Sequence, residues 1–365
     1  MDQIELLQRR KAYSVSDPAR LSAWFSDRLS KPVIVEGMDG PADRNGFSGE
    51  TFFLRAFDRD DRSSYTDYIL RQEARGPDVN FPPGGDFRLE AEVQTALAAK
   101  TGVRVAPIIG YEPGHEIIGR PFYVMAAVLG RIPCDAPGYL RAGWILDLSE
   151  ADRRAVALNA IGALGQLGAV DPADLQVTRL NRAATDQTEL DRDLLYYDHL
   201  WRWAHEDLSL PLMDRALDWL RANRVDEPRL SVCWGDARMG NMIFDGLEPA
   251  ALIDWEMVTL GAPEKDLAYW LMMDELHVSM AGETPGWPKT EDQIAAYEAR
   301  LGRPADRDLL SYHRLFTAVR LTGLYARFIN IMRRKGAFPA DTALTAEHPN
   351  PIRMLQQESA RLGFG

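Results

Sequence analysis

The chain has 365 residues, a formal net charge of −12, 46% hydrophobic and 26% charged residues. That composition fits a globular protein long enough for two lobes, and its acidity argues against nucleic-acid binding through a broad basic surface. Cys134 and Cys233 lie far apart with no CxxC, and His199 and His205 are six apart, so neither a disulfide framework nor a structural zinc site is expected. A reducing, cytoplasmic setting is expected instead. The N-terminus lacks a signal-peptide core and no window approaches the apolar length of a membrane span, so no membrane partner is expected.

Along the chain, Asp17-Pro18 reads as a helix start, followed by an apolar stripe of Leu21, Trp24, Phe25 and Leu29. "KPVIVEGM", "GETFFLRAF" and "SYTDYILRQ" are rich in β-branched and aromatic residues and predict strands. "DFRLEAEVQTALAAKTG" predicts a helix ending at Gly102. "VAPIIGYE" and "RPFYVMAAV" predict two further strands. Residues 30–128 therefore read as a five-stranded antiparallel meander with one inserted helix. After "LGRIP" the pattern turns helical: "SEADRRAVALNAIGALGQLGAV", then "TELDRDLLYYDHLWRWAHEDL" with Leu194, Tyr197, Trp201, Ala204 and Leu208 on one stripe, then "PLMDRALDWLRANR". "NMIFDG" and "AALIDWEM" predict a short hairpin. "APEKDLAYWLMMDEL" and "DLLSYHRLFTAVRLTGLYARFINIMRR" predict two more helices. No internal repeat is visible. The reading is a small β-rich lobe, a connector near residues 126–132 and a larger helical lobe.

Asp236, Asn241 and Asp254 stand out. The first two are five apart, the third follows thirteen later, and all fall in loops or at strand ends of the hairpin. Each alone reads more readily as a turn or cap residue. Together they suit phosphoryl transfer, which needs a carboxylate to orient a hydroxyl and take its proton, and hard oxygen ligands for the magnesium that bridges nucleotide phosphates.

The stretch "WGDARMGNMIF…AALIDWEMVTLGAPEKDLAYWL" resembles the aminoglycoside phosphotransferase and choline kinase superfamily, and within it a bacterial subgroup of phosphotransferases carrying "WGDAR". The resemblance implies an α+β, protein-kinase-like bilobal fold: a small antiparallel β-rich N-lobe over residues 1–128 and a larger, mainly helical C-lobe over 129–365. It implies a small-molecule kinase that uses ATP and Mg2+ to phosphorylate a hydroxyl. Carried over by position, Asp236 is the catalytic base, and Asn241 and Asp254 are the magnesium ligands. Gly46, Ser48 and Gly49 form the tip of the phosphate loop in "NGFSGETFFL". Arg71 takes the place of the phosphate-binding lysine, Glu90 is its ion-pair partner, and backbone atoms from Ala126 to Val128 meet the adenine.

The chain departs from that pattern in four places. Trp234 stands where the family has histidine, and reads as a large buttress with one N–H donor. Arg71 stands where lysine is usual; no lysine lies between residues 32 and 99, and an arginine keeps its charge and offers two-pronged binding. Gly261-Ala262-Pro263 replaces Gly-Asp-Pro, leaving Asp266 to cap or brace. "LGAVDP" replaces the family's Leu-His-x-x-Asp.

Three functions stay open: a kinase for a small hydroxylated metabolite, hydroxyacyl-CoA included; an aminoglycoside or other antibiotic kinase; and a nucleotide-binding pseudokinase. Retention of the base together with both metal ligands argues against the last. Residues 186–218 carry nine acids against three arginines, which reads as a solvated helix face or as an acidic pocket for polyamines. The short run from Asp254 to Pro263 leaves no long peptide-docking segment, so a small acceptor is expected, held by residues 186–222 and Tyr312–Arg333.

Overall fold

The computed structural model describes residues 18–37, 49–73, 85–183, 186–346 and 350–365. The chain divides into two compact units. The first comprises Met1–Cys134, Ala173–Val177 and Met239–Met257; the second comprises Asp135–Pro172, Thr178–Arg238 and Val258–Gly365. The break thus falls six residues later than the 128/129 boundary read from sequence, and the hairpin segment from Met239 joins the first unit. The reason is backbone pairing: Val105 bridges to Leu252 and Arg131 to Phe244, tying the hairpin to the β-rich unit.

In the first unit, helix α1 (Pro18–Leu29) precedes strands β1 (Val33–Glu36), β2 (Gly49–Asp58) and β3 (Tyr65–Glu73). Helix α2 (Phe87–Lys100) then leads to β4 (Ile108–Glu112) and β5 (Phe122–Ala126). Asp86 caps α2 by accepting from Leu89 N at 3.0 Å. The sheet has five strands and is antiparallel throughout. Its order is β1-β2-β3-β5-β4, so it is not the plain meander that the sequence suggested. The chain leaves β3 through α2, returns at the edge as β4, and β5 fills the place beside β3.

Side-chain alternation along β5 explains why this strand is apolar throughout. Phe122 and Val124 join the cluster under α1, with Leu21, Trp24 and Phe25. Tyr123 and Met125 join Phe87 and Ala91 of α2 on the other face. Arg71 pairs with Tyr123 across β3 and β5, and Leu70 belongs to the α1-side cluster, so Arg71 faces the α2 side.

In the second unit, α3 (Glu150–Gly168) is capped by Ser149, and α4 (Glu189–Ala204) starts with a capping box between Thr188 and Asp191. The stripe predicted on α4 is buried: Leu194, Tyr197, Trp201 and Ala204, with Leu208 just beyond the helix. Helix α5 (Pro211–Ala222) leads to β6 (Ser231–Cys233). Hairpin strands β7 (Met242–Asp245) and β8 (Glu248–Leu252) lie in the first unit; β9 (Thr259–Gly261) returns to the second and pairs antiparallel with β6. Helices α6 (Glu264–Ala281), α7 (Thr290–Leu301), α8 (Arg307–Arg334) and α9 (Pro351–Arg361) complete it. Strands β6 and β9 and helices α7 and α9 were not anticipated from sequence. Helix α7 packs on α3 where Gly165 sits; a Cβ there would come within 2.4 Å of Tyr297 O, so only glycine permits this approach.

Candidate active site

Each unit carries its own group of polar residues. In the second, β6 delivers the chain into Trp234–Asp236. Trp234 is fully buried, as expected of a buttress. Gly235 has φ +90°, a conformation that favours glycine. Two groups hold this turn. Asp266, in the first turn of α6, accepts from Trp234 N at 2.5 Å and Gly235 N at 3.0 Å. Arg320, buried in α8, donates to Gly235 O at 2.7 Å. Asp266 is thus a brace, in the role expected for it. Asp266→Ala should cost about 2–4 kcal/mol, because two buried amides lose their acceptor; denaturant unfolding measures it, and a loss within experimental error would show that the brace is dispensable.

The turn presents Asp236, whose side chain is 15% exposed. Its Oδ1 accepts from Tyr269 Oη at 2.6 Å and its Oδ2 from Arg238 Nε at 2.9 Å. Arg238 Nη1 also pairs with Asp135. Burial pushes the Tyr269 hydroxyl well above its usual range, so it remains a donor at neutral pH. The carboxylates of Asp236 and Asp135 hold Arg238 charged despite its burial, which acts the other way. Tyr269, Arg238 and Asp135 were missed from sequence. Tyr269 could have been found, since it lies three residues after Asp266 on the same face of α6; Asp135 could not, being 103 residues from Arg238.

In the first unit, the hairpin explains the thirteen-residue interval. Met242 pairs with Leu252, and Ile253 N donates to Asn241 O at 2.9 Å, so Asn241 and Asp254 flank the open end of β7 and β8. Asn241 is 4% exposed. Asp254 adopts φ +64°, a costly conformation for a residue with a Cβ and one that clusters at functional sites. Trp255 anchors the turn, fully buried and donating to Leu252 O at 3.0 Å.

Arg71 reaches Asp254 Oδ1 with Nη1 at 2.7 Å and Glu256 Oε2 with Nη2 at 3.2 Å. The expected ion pair between Arg71 and Glu90 is therefore corrected: the fork is spent on the two hairpin acids. Glu90 instead accepts from Tyr123 Oη at 2.9 Å, and its Oε1 is buried with no hydrogen-bond partner. Arg71 still acts on Glu90 through space, but burial outweighs it and pushes the Glu90 carboxyl from 4.5 up to about 7. The folded state therefore binds a proton that the unfolded state has released. Stability from this group is full below pH 4.5 and is lost as pH rises to about 7, by about 3 kcal/mol at most. Glu90→Gln should flatten that part of the stability–pH curve; an unchanged slope from pH 4.5 to 7 would refute it.

Gly49 opens β2 opposite Glu73, while Gly46 and Ser48 lie outside the described residues. Ala126 N donates to Pro107 O at 2.8 Å and Ala127 N to Asp67 O at 3.0 Å, so neither amide is left for a ligand. Val128 is the remaining donor of the three residues.

For a divalent cation, the described residues hold no cluster of three or more His, Cys, Asp or Glu side chains. Asn241 and Asp254 nevertheless offer two hard oxygen donors at one end of a hairpin. That small set fits magnesium, which usually keeps several waters and takes further oxygens from substrate phosphates.

The sequence profile of the phosphotransferase enzyme family matches residues 40–315. The chain belongs to this family. Among curated proteins, it is similar to acyl-CoA dehydrogenase family member 11 of Homo sapiens, 28% identical over 322 residues, covering 86% of this chain but 36% of that protein. It is 29% identical over 227 residues to family member 10 of Mus musculus, covering 62% of this chain and 19% of that protein. The chain thus spans between a fifth and two fifths of the length of these relatives. Among solved structures, a protein of Ralstonia eutropha provisionally named an aminoglycoside phosphotransferase aligns over 94% of this chain and 95% of its own, with TM-score 0.67 and 24% identity. A macrolide 2'-phosphotransferase from Brachybacterium faecium aligns over 90% and 100%, with TM-score 0.52 and 19% identity. These likenesses establish the kinase-like α+β fold. No helix among the described residues is long and apolar enough to cross a membrane.

Proposed function

We propose that this phosphotransferase moves the γ-phosphate of ATP to the hydroxyl of a small molecule. The observation that carries the proposal is Asp236, presented on a turn braced by Asp266 and Arg320, with Tyr269 and Arg238 fixing its two oxygens. A carboxylate so oriented accepts the acceptor's proton as the new O–P bond forms; the bond to the bridging oxygen breaks and its electron pair leaves with the diphosphate. Asn241 and Asp254 are the residues that would hold magnesium, which when bound neutralises phosphate charge. Arg71, whose fork holds Asp254 and Glu256, would steady the carboxylate that holds the metal, and Val128 N–H would meet the adenine. Glu90 and Tyr123 set the environment of Arg71 from its buried side.

The acceptor proposed is a small hydroxylated metabolite, with hydroxyacyl thioesters foremost because acyl-CoA stands in the names of its curated relatives. The antibiotic-kinase reading loses the acidic stretch that supported it. Asp191 pairs with Arg224, Asp193 with Lys265, Asp198 with Arg202 and Arg221, Glu206 with Arg327 and Arg334, and Asp207 with Arg333. Acids already neutralised within the fold offer little to a polyamine. An acceptor screen with ATP and magnesium, read by mass spectrometry for an added phosphate, tests the proposal; ATP binding without transfer to any acceptor would favour a pseudokinase.

A further inference from the structure

Every residue of α8 from Leu315 to Gly323 is buried, and Arg320 is the one charge among them. An arginine is rarely buried so completely without a carboxylate on its fork. Among the described residues Arg320 has none. Its Nη2 donates to Gly235 O at 2.7 Å, while Nε and Nη1 are buried with no hydrogen-bond partner. What it meets instead is aromatic: its Cζ lies 5.1 Å from the ring centre of Tyr269 on α6 and 5.2 Å from that of Tyr197 on α4. All of these residues belong to the second unit. Burial works against the charge, and Tyr197, Tyr269, Asp193 and Asp266 uphold it. A brace for one carbonyl needs one N–H, which a neutral amide could supply. The turn has no use for the rest of the guanidinium.

Tyr269 connects this charge to the base. The hydroxyl of that ring donates to Asp236 Oδ1 at 2.6 Å, and Gly235, whose carbonyl Arg320 holds, directly precedes Asp236. A cation over the ring draws electron density from it, so the phenol becomes a better donor. Burial keeps the Tyr269 proton on by raising that hydroxyl's pKa; the charge of Arg320 acts the other way, towards a stronger donor. We propose that Arg320 is a positioning residue for the base, acting through Tyr269: its charge fixes the Tyr269 ring and strengthens the hydrogen bond that Asp236 accepts. This rests on the reading of Asp236 as the base, but the hydrogen bond itself is measurable without it.

The test separates charge from bracing. Arg320→Lys keeps a cation beside the rings; Arg320→Gln keeps a donor for Gly235 O and loses the charge. Both are compared with the wild type, with Tyr269→Phe and with the double variant Arg320→Gln/Tyr269→Phe, each checked for its unfolding transition. The first reading is proton NMR of the protein without ligands. A phenol 2.6 Å from a carboxylate and 3% exposed gives a slowly exchanging, downfield hydroxyl signal, identified by its loss in Tyr269→Phe. That signal should persist in Arg320→Lys, and in Arg320→Gln it should move upfield or vanish through exchange with water. The second reading is turnover with ATP, magnesium and a hydroxyacyl thioester. In Arg320→Gln kcat should fall roughly 10-fold, the scale of one desolvated cation–π contact, with KM for ATP unchanged. Adding Arg320→Gln to Tyr269→Phe should cost nothing further, because the effect runs through that hydroxyl. A hydroxyl signal absent from the wild type, or unmoved in Arg320→Gln, overturns the proposal. So do losses that multiply in the double variant, or Arg320→Lys behaving as Arg320→Gln does; either makes Arg320 a brace for the turn alone. A wild type whose signal responds to Arg320→Gln but which phosphorylates no alcohol defeats the kinase reading and leaves the positioning of Asp236 by Arg320 standing.

Discussion

Asp236→Asn should lower turnover by roughly 10²–10⁴-fold, the usual scale for one acid–base group. The substitution keeps an oxygen that can accept from either Tyr269 or Arg238, so the turn held by Asp266 and Arg320 should survive and the unfolding transition should move little. What disappears is the ability to take a proton. Nucleotide affinity should change little, because the base serves the acceptor. Single-turnover kinetics with saturating ATP separate the two effects, and near-wild-type turnover would remove Asp236 from the chemistry.

The second large effect concerns Arg71. Its side chain is 8% exposed and faces two acids, with side chains of Asp254 and Glu256 29% and 15% exposed. Arg71→Met removes this cation from the half-buried Asp254 and Glu256 and from the surroundings of the buried Glu90. Breaking a buried pair from one side typically costs about 3–5 kcal/mol. Arg71→Lys should recover part of this, since one ammonium cannot serve both carboxylates in the manner of the fork. In a double-mutant cycle, coupling of Arg71 to Asp254 should exceed coupling to Glu90, as only the former pair is in contact. A loss below about 1 kcal/mol in Arg71→Met, or equal couplings, would contradict this geometry.

The features legible in the sequence were those encoded locally. The stripe on α4 follows helical spacing and is buried as that spacing requires. Runs rich in β-branched and aromatic residues marked β1, β2 and β3, and the helical pattern of α2 and α3 was visible in the segments that begin at Asp86 and Ser149. Strand order was not legible, because the crossover through α2 lets β4 skip the place beside β3, which β5 then fills. The nine acids near α4 looked like one surface in the sequence. Glu189 and Asp198 find arginines three and four residues on along α4, but other partners come from α5, the residues after it, α6 and α8, distances along the chain that no local pattern reports. The same limit applies to the site. Asp236, Asn241 and Asp254 were visible through their spacing. The ion pair of Arg71 was placed on Glu90, because nothing in the sequence says that Asp254 and Glu256 come closer. Asp135 and Arg238 meet only in the folded chain.

The central claim is transfer of phosphate to a small hydroxyl. Its most direct measurement uses ATP labelled with oxygen-18 in the γ-phosphate, magnesium, the wild-type protein, and a mixture of hydroxyacyl thioesters, hydroxy acids, sugars, aminoglycosides and peptides. The account predicts a small-molecule phosphate ester that carries the label, absent when Asp236→Asn replaces the wild type. Label found on peptides with no small molecule consumed, or ATP bound and never cleaved in the presence of any acceptor, would contradict it.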